Sequence, residues 1–235
     1  RLSVTVRKAL DAAVRKGLLR VNPADLADRP KVPRKDVTAD VWTPEQTAAF
    51  LEATRGDRLW PAWVVLAMTG LRRSEVCALA WPDVDLDTGR LSVRRALVLV
   101  DGQPVLKGPK TAASRRSVDL DAGTVTALRE WRKTQLQERL RAGEAWEPGV
   151  WVFTDESGRP WRPDTLTRRF KAAVKATGLP ETDIRGMRHG HATALLAVGT
   201  APKVTQERLG HSSVQVTLDT YSAVSPTMQR AAIDR

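Results

Sequence analysis

Residues 22–36 read NPADLADRPKVPRKD, and the three prolines in this run, Pro23, Pro30 and Pro33, constrain the fold more than any other stretch. Proline lacks a backbone N–H and fixes φ at about −65°, so no helix crosses the segment, and prolines among charges read as a stiff linker. The chain is thereby divided into a short part over 1–21, a linker over 22–40 and a larger domain over 41–235. Its length and its 42% apolar residues suffice for a sizeable core.

In the short part, Val6, Leu10, Ala13, Val14 and Gly17 follow a helical period over 2–19, with Arg7, Lys8, Arg15 and Lys16 on the other faces. That helix starts without a cap and reads as the end of a helical domain whose earlier portion is missing. Residues 1–35 carry ten basic against three acidic side chains, so +7 of the formal +11 sits in this stretch. Such a concentration favours a polyanionic partner. Nucleic acid fits better than a membrane surface because no Trp or Phe interrupts the stretch. Arg7, Lys8, Arg15 and Lys16 are the candidate phosphate contacts here.

The larger domain begins with a helix signal: Thr43 as N-cap, Pro44 in the first turn and Gln46 as capping-box partner predict a helix over 44–54. Helices are expected over 59–68, ended by Gly70, and over 73–80, closed by Trp81-Pro82. The pattern then changes to period two. Leu91, Val93, Val98 and Val100 precede an Asp101-Gly102 turn, and a further strand is expected over 117–120. Helical periodicity returns over 121–141, a strand-like VWVF occupies 150–153, and Leu166, Phe170, Ala173 and Val174 form one stripe stopped by Gly178. Further helices are expected over 188–198, 202–209, 213–220 and 227–233. The fold class is mainly α with a small antiparallel β-sheet inserted among helices (α+β).

Cys77 is the only cysteine, so no internal disulfide forms, which suits a reducing cytoplasm. No apolar run approaches the roughly 18 residues of a membrane span, and the first residues lack a signal-peptide core. A soluble, cytoplasmic, nucleoid-associated protein without membrane contact is expected. His189 and His191 lie two apart, on different faces of a helix, and no Cys or carboxylate cluster completes a metal shell. The expected chemistry is metal-free.

Tyr221 is the single tyrosine, ten residues after His211 in LGHSSVQVTLDTY. Alone, such a tyrosine is a half-buried packing residue. A phosphodiester can be cut without metal when fixed cations neutralise the nonbridging oxygens, a nucleophile is aimed in line and an acid protonates the leaving oxygen. A phenol as nucleophile leaves a phosphotyrosine and conserves the bond energy. Arginine suits the clamp because its planar fork binds two phosphate oxygens at once. Arg72 lies where a glycine-ended helix turns into the next, with Glu75 three residues on and placed to brace a guanidinium. Lys110 lies on a loop between strands with Lys107, Arg115 and Arg116 around it, and Arg185, Arg188 and His189 follow in RGMRHGHAT.

Taken together and in order, TGLRRSE, GPKTAASRRSV, RGMRHGHAT and LGHSSVQVTLDTY resemble the signature boxes of the tyrosine recombinase, or phage integrase, family. The resemblance covers 41–222. The first helix and linker are similar to the end of the family's core-binding domain, and the segment from 222 to its C-terminal tail. It implies Arg72 and Arg188 as catalytic arginines, Glu75 as the acidic residue behind the first, Lys110 as hairpin lysine, His211 as late histidine and Tyr221 as nucleophile. It implies a site-specific DNA recombinase that integrates or excises a mobile element through a 3′-phosphotyrosyl link, with Lys110 as acid for the leaving 5′-oxygen. Neither ATP nor metal, and no other cofactor, is required. Implied partners are double-stranded recombination sites, further copies of the chain in a tetramer on DNA, and an excision factor as a candidate. Lys107, Arg115 and Arg116 join the four residues of the first helix as candidate DNA contacts.

One position departs from the family. Three residues before the second arginine the family's usual residue is histidine, and here it is Arg185. A guanidinium stays protonated and cannot accept the Tyr221 proton. Water accepts it, His211 does, or activity is reduced, and Arg185 is expected to be an electrostatic helper. His189 stands beside the second arginine as a supporting residue or a packing one, and His191 is assigned to structure. Two other functions remain open: strand relaxation like a type IB topoisomerase, and a DNA-binding accessory or decayed integrase.

Overall fold

The computed structural model describes residues 2–27, 41–108, 115–211 and 213–219, the side chains of 216, 218 and 219 excepted. Two compact units result, Arg1–Asp36 and Val37–Arg235.

In the first unit, helix α1 spans Leu2–Arg15 and ends four residues earlier than its periodicity suggests. Gly17 stops it at φ 72°: its N–H bonds Val14 O at 2.9 Å while Leu18 N–H bonds Ala13 O at 3.0 Å, the paired bonds of a Schellman turn. The chain then folds back. Asn22 caps the short turn Pro23–Asp25 through Ala24 N–H at 2.9 Å and donates to Arg7 O at 3.2 Å and Asp11 Oδ1 at 2.6 Å. Arg7 pairs with Asp25, so the first residues expected in the linker are bound to α1.

The second unit opens with α2, Pro44–Ala53, and the Thr43/Gln46 capping box forms in both directions, at 3.3 and 3.0 Å. Helix α3, Trp60–Thr69, is buried on nearly all faces and forms the centre of the unit. Phe170 sits 5.4 Å from Phe50 and 5.5 Å from Trp63, and Trp42 lies 5.1 Å from Phe50 while its indole N–H donates to Pro180 O at 2.8 Å. Gly70, left-handed at φ 62°, ends α3, and a single-turn helix α4, Arg73–Val76, follows. The helix expected to reach residue 80 thus stops one turn in. Cys77, next in the chain, is 1% exposed.

The period-two region forms two separate antiparallel sheets. Strands β1 (Val84–Asp85), β2 (Arg90–Val93) and β5 (Arg116–Asp119) pair in the order β1-β2-β5. Strands β3 (Ala96–Val100) and β4 (Gln103–Lys107) make a hairpin of their own. Asp101 and Gly102 close that hairpin at φ 49° and 75°, the two left-handed residues that match the strands' twist.

Helix α5, Ala122–Ala142, is capped by Asp121, whose Oδ1 accepts from Thr124 N–H at 3.0 Å. The strand expected at 150–153 is only a bridge between Trp151 and Ala80. Its two middle carbonyls are taken by α5 side chains, the Trp131 indole N–H reaching Val152 O at 2.6 Å and the Gln135 amide reaching Trp151 O and Val152 O at 3.1 Å each, while Val150 O accepts from Trp81 N–H at 2.7 Å. Helix α6, Pro163–Thr177, buries Leu166, Phe170 and Val174 and ends at Gly178, φ 68°. Helix α7, Ile184–Ala197, begins four residues before the expected start because Asp183 caps it, accepting from Gly186 N–H at 2.7 Å. Helices α8, Pro202–Leu209, and α9, Val214–Asp219, complete the described residues.

Candidate active site

The site is built around the C-terminal end of α8. The last carbonyls of a helix have no partner within it, and they lie at the negative end of its dipole. Here three consecutive ones each accept from a guanidinium brought from a different element. Arg116 Nε donates to Arg208 O at 2.7 Å, Arg188 Nη2 to Leu209 O at 2.7 Å and Arg72 Nη2 to Gly210 O at 2.6 Å. Arg188, 8% exposed on α7, also donates through Nη1 to Gly70 O at 2.6 Å. The two box arginines expected to clamp phosphate therefore converge on one edge.

Glu75 is the carboxylate among them. Its Oε1 accepts from Arg72 Nη1 at 2.8 Å and Arg116 Nη1 at 3.0 Å; its Oε2 accepts from Arg72 N–H and Arg116 Nη2, both at 2.8 Å. Burial pushes its pKa up, and hydrogen bonding and charge from Arg116, then Arg72, outweigh that and hold it below the ordinary value. Burial, then the neighbouring Arg72 charge, lowers Arg188 to about 9, which leaves it protonated at neutral pH.

His211 follows the α8 cap, with Nδ1 2.8 Å from Thr217 Oγ1 on α9. Burial first, then the charges of Arg188 and Arg72, lower its pKa to about 4, so the ring is neutral at pH 7. On α7, Arg185 Nε donates to His189 Nε2 at 3.3 Å one turn on, and burial followed by Arg185 and Arg188 depresses His189 too. Arg185 shares a groove of about 290 Å³ with Arg72 and Arg188. His191 faces away: its Nε2 accepts from Arg208 Nε at 3.2 Å, and burial, then Arg208 and Arg188, lower it to about 4.

Arg72, Glu75, Arg188 and His211 are thus gathered at one place, with Arg185 and His189 beside them. Lys110 and Tyr221, and the tail with its expected helix over 227–233, lie outside the described residues. Lys107 and Arg115 are exposed, as are Lys8, Arg15 and Lys16 in the other unit. One expected DNA contact is corrected: Arg116 has a side chain only 5% exposed and is spent on Glu75 and the α8 carbonyl. Arg7 pairs with Asp25 at the surface, its side chain 37% exposed. The inward aim of Arg116 has a sequence signal: it stands two residues before Val118, a core residue of β5, and period two puts both on one face. Arg208 and Thr217 were not singled out, and nothing in their local sequence marks them. Among the described residues no group of His, Cys, Asp or Glu could hold a metal ion, and no helix is long and apolar enough to cross a membrane.

A mostly helical α+β unit thus presents two buried or half-buried arginines, a braced glutamate and a neutral histidine on one edge, an arrangement whose chemistry suits a phosphate group. The model of the Phage integrase family matches residues 42–228, and the chain belongs to that family. It is 29% identical to the ICEBs1 integrase of Bacillus subtilis over 236 residues, all of this chain and 63% of that protein. It is 31% identical to an integrase of Streptomyces ambofaciens, over 80% of this chain and 50% of that one. The Tn1549 transposon integrase, solved in complex with transposon right end DNA, superposes with a TM-score of 0.81 at 25% identity, over 99% of this chain and 77% of that one. XerA recombinase shares the fold, with a TM-score of 0.66 at 22% identity over 98% of this chain and 73% of that one. The chain spans less than two thirds of the length of the first curated relatives it matches.

Proposed function

We propose that this chain is the catalytic part of a site-specific DNA recombinase of the integrase type, cutting and rejoining strands through Tyr221. The observation that carries the reading is the convergence of Arg72 and Arg188 on adjacent carbonyls, Gly210 O and Leu209 O, beside a neutral His211. A phosphate reaching this edge offers oxygens where those carbonyls now accept, in a setting of net positive charge. Tyr221 attacks the phosphorus, the bond to the 5′-oxygen breaks, and Lys110 gives that oxygen its proton. Arg72, Arg188 and His211 hold the charge of the transition state. Neutral His211 has a lone pair for the phenolic proton, which Arg185 lacks, and a bound phosphate between the guanidiniums raises its affinity for that proton. Arg185 stabilises the phenolate electrostatically.

The substrate is double-stranded DNA at the ends of a mobile element. Lys107, Arg115, Lys8, Arg15 and Lys16 contribute phosphate contacts. Four copies assemble on two duplexes, an excision factor biases direction, and the protein works at the nucleoid. The test is a nicked duplex carrying the element's own end sequence. A covalent adduct on Tyr221, absent from Tyr221→Phe, supports the reading. Its absence from the parent, with tight DNA binding retained, identifies a binding protein instead. Relaxation of supercoiled DNA without exchange between two sites identifies a topoisomerase.

A further inference from the structure

We infer that Arg116 is a positioning residue, which fixes the Arg72 guanidinium through Glu75 and fixes the end of α8 through the Arg208 carbonyl. The claim rests on the recombinase reading for its consequence in catalysis, though its geometry stands apart from it.

Arg116 is the most enclosed of the arginines around Glu75, with a side chain 5% exposed against 40% for Arg72. A residue so placed touches no substrate. It fills one lone pair on each Glu75 oxygen, at 3.0 and 2.8 Å, and so turns the carboxylate to offer its other two to the Arg72 side chain and N–H. Without Arg116, Glu75 keeps only its bonds to Arg72 itself, so the carboxylate no longer ties the half-exposed Arg72 guanidinium to a second fixed point beside Gly210 O. Through Nε the same guanidinium holds Arg208 O at 2.7 Å, three residues before His211. One side chain therefore sets the spacing between Arg72, at the start of α4, and His211 beyond α8.

The fold makes room for it. Gly210 is left-handed at φ 66°, and a Cβ there would come within 2.8 Å of Arg116 Nη1 and 3.1 Å of its Cδ and Cζ. The bare glycine thus serves the turn and the guanidinium together. Glu75 carries the complementary sign: Arg116 heads the interactions that hold its carboxyl ionised against burial.

The test compares the parent, Arg116→Gln and Arg116→Lys in the full chain. Side-chain nitrogen NMR reads Arg72 whether or not DNA is cut. Slow rotation about its Cζ–Nε bond is expected in the parent and fast rotation in Arg116→Gln; slow rotation in both overturns the inference. Single-turnover cleavage of the nicked duplex is expected to slow by about 100-fold in Arg116→Gln, with DNA affinity held within about twofold. Lysine, which keeps charge but not the fork, should restore only part of the rate. With a neutral methylphosphonate at the cleavage position, where Arg72 has less charge to neutralise, the deficit of Arg116→Gln should fall below about tenfold. An equal deficit on both substrates, or none on either, overturns the inference. Slow Arg72 rotation in the parent and fast rotation in Arg116→Gln, with no adduct from the parent, refutes the recombinase reading and leaves the positioning of Arg72 by Arg116 established.

Discussion

Replacing Glu75 by glutamine changes one atom and removes one charge, at a site where both matter. The carboxylate is 7% exposed at its side chain and accepts four hydrogen bonds, two on each oxygen. Whichever way the new amide turns, its NH2 meets one N–H from the Arg116 guanidinium and one from Arg72, the side chain at one oxygen and the backbone at the other, so at least one bond to a charged donor, about 1.5–3 kcal/mol, is lost together with a second bond. The Arg72 share is discounted because that side chain is 40% exposed and regains water. Arg116 has no such recourse, and breaking a buried pair costs about 3–5 kcal/mol. For a unit of this size that loss lowers the melting temperature by about 6–20 °C. Urea unfolding of the parent, Glu75→Gln, Arg116→Met and the double variant measures the coupling. The double variant carries neither buried charge, so its loss should fall short of the sum of the single losses by at least about 2 kcal/mol. Losses that add to within about 0.5 kcal/mol would refute the buried-pair argument.

Gly210→Ala should destabilise by about 1–2 kcal/mol from the left-handed φ alone, and it should slow cleavage as Arg116→Gln does, because the new methyl meets Arg116; thermal melts and single-turnover cleavage check both. His191, lowered from 6.5 to about 4, is neutral in the folded chain but protonates in the unfolded one. Its contribution is full above pH 6.5 and is lost as pH falls towards 4, on the order of 3 kcal/mol in total. Urea midpoints from pH 7 to 4.5 should fall in the parent and fall less in His191→Gln. Arg185→His restores the family's usual residue and should speed cleavage and add a pH-dependent limb near neutrality, whereas Arg185→Ala should cleave more slowly than the parent. Equal rates for Arg185→Ala and the parent would exclude an electrostatic role.

Local signals are legible in the sequence where the backbone itself dictates them. Thr43, Pro44 and Gln46 cap α2, Gly70 and Gly178 end helices at positive φ, and Asp101-Gly102 closes a hairpin, because each is a short-range steric or hydrogen-bonding requirement. Errors arose where distant groups intervene. The 150–153 run has the composition of a strand, yet Trp131 and Gln135 satisfy the carbonyls of Trp151 and Val152 from a helix. Helix α7 starts at Ile184, four residues before the onset of apolar periodicity, because the Asp183 cap is a single side chain with no periodic signal around it. At the site, the order of the boxes named Arg72, Arg188 and His211. Their common seat on α8 depends on carbonyls, which every sequence has and none displays. Arg116 looked like one more surface cation until its partner Glu75 was seen to lie behind it.

The lone thiol has a use of its own. Cys77 stands two residues after Glu75 in the turn that follows α4, 1% exposed, and burial lifts its pKa to about 12. A thiol-directed reagent added to the native protein must wait for that turn to open, since only the exposed thiolate reacts. When closing outruns labelling, the modification rate divided by that of an unstructured thiol is the opening equilibrium of the segment carrying Arg72 and Glu75. The chain thus contains its own chemical clock, which reads how often the turn carrying Arg72 and Glu75 comes undone.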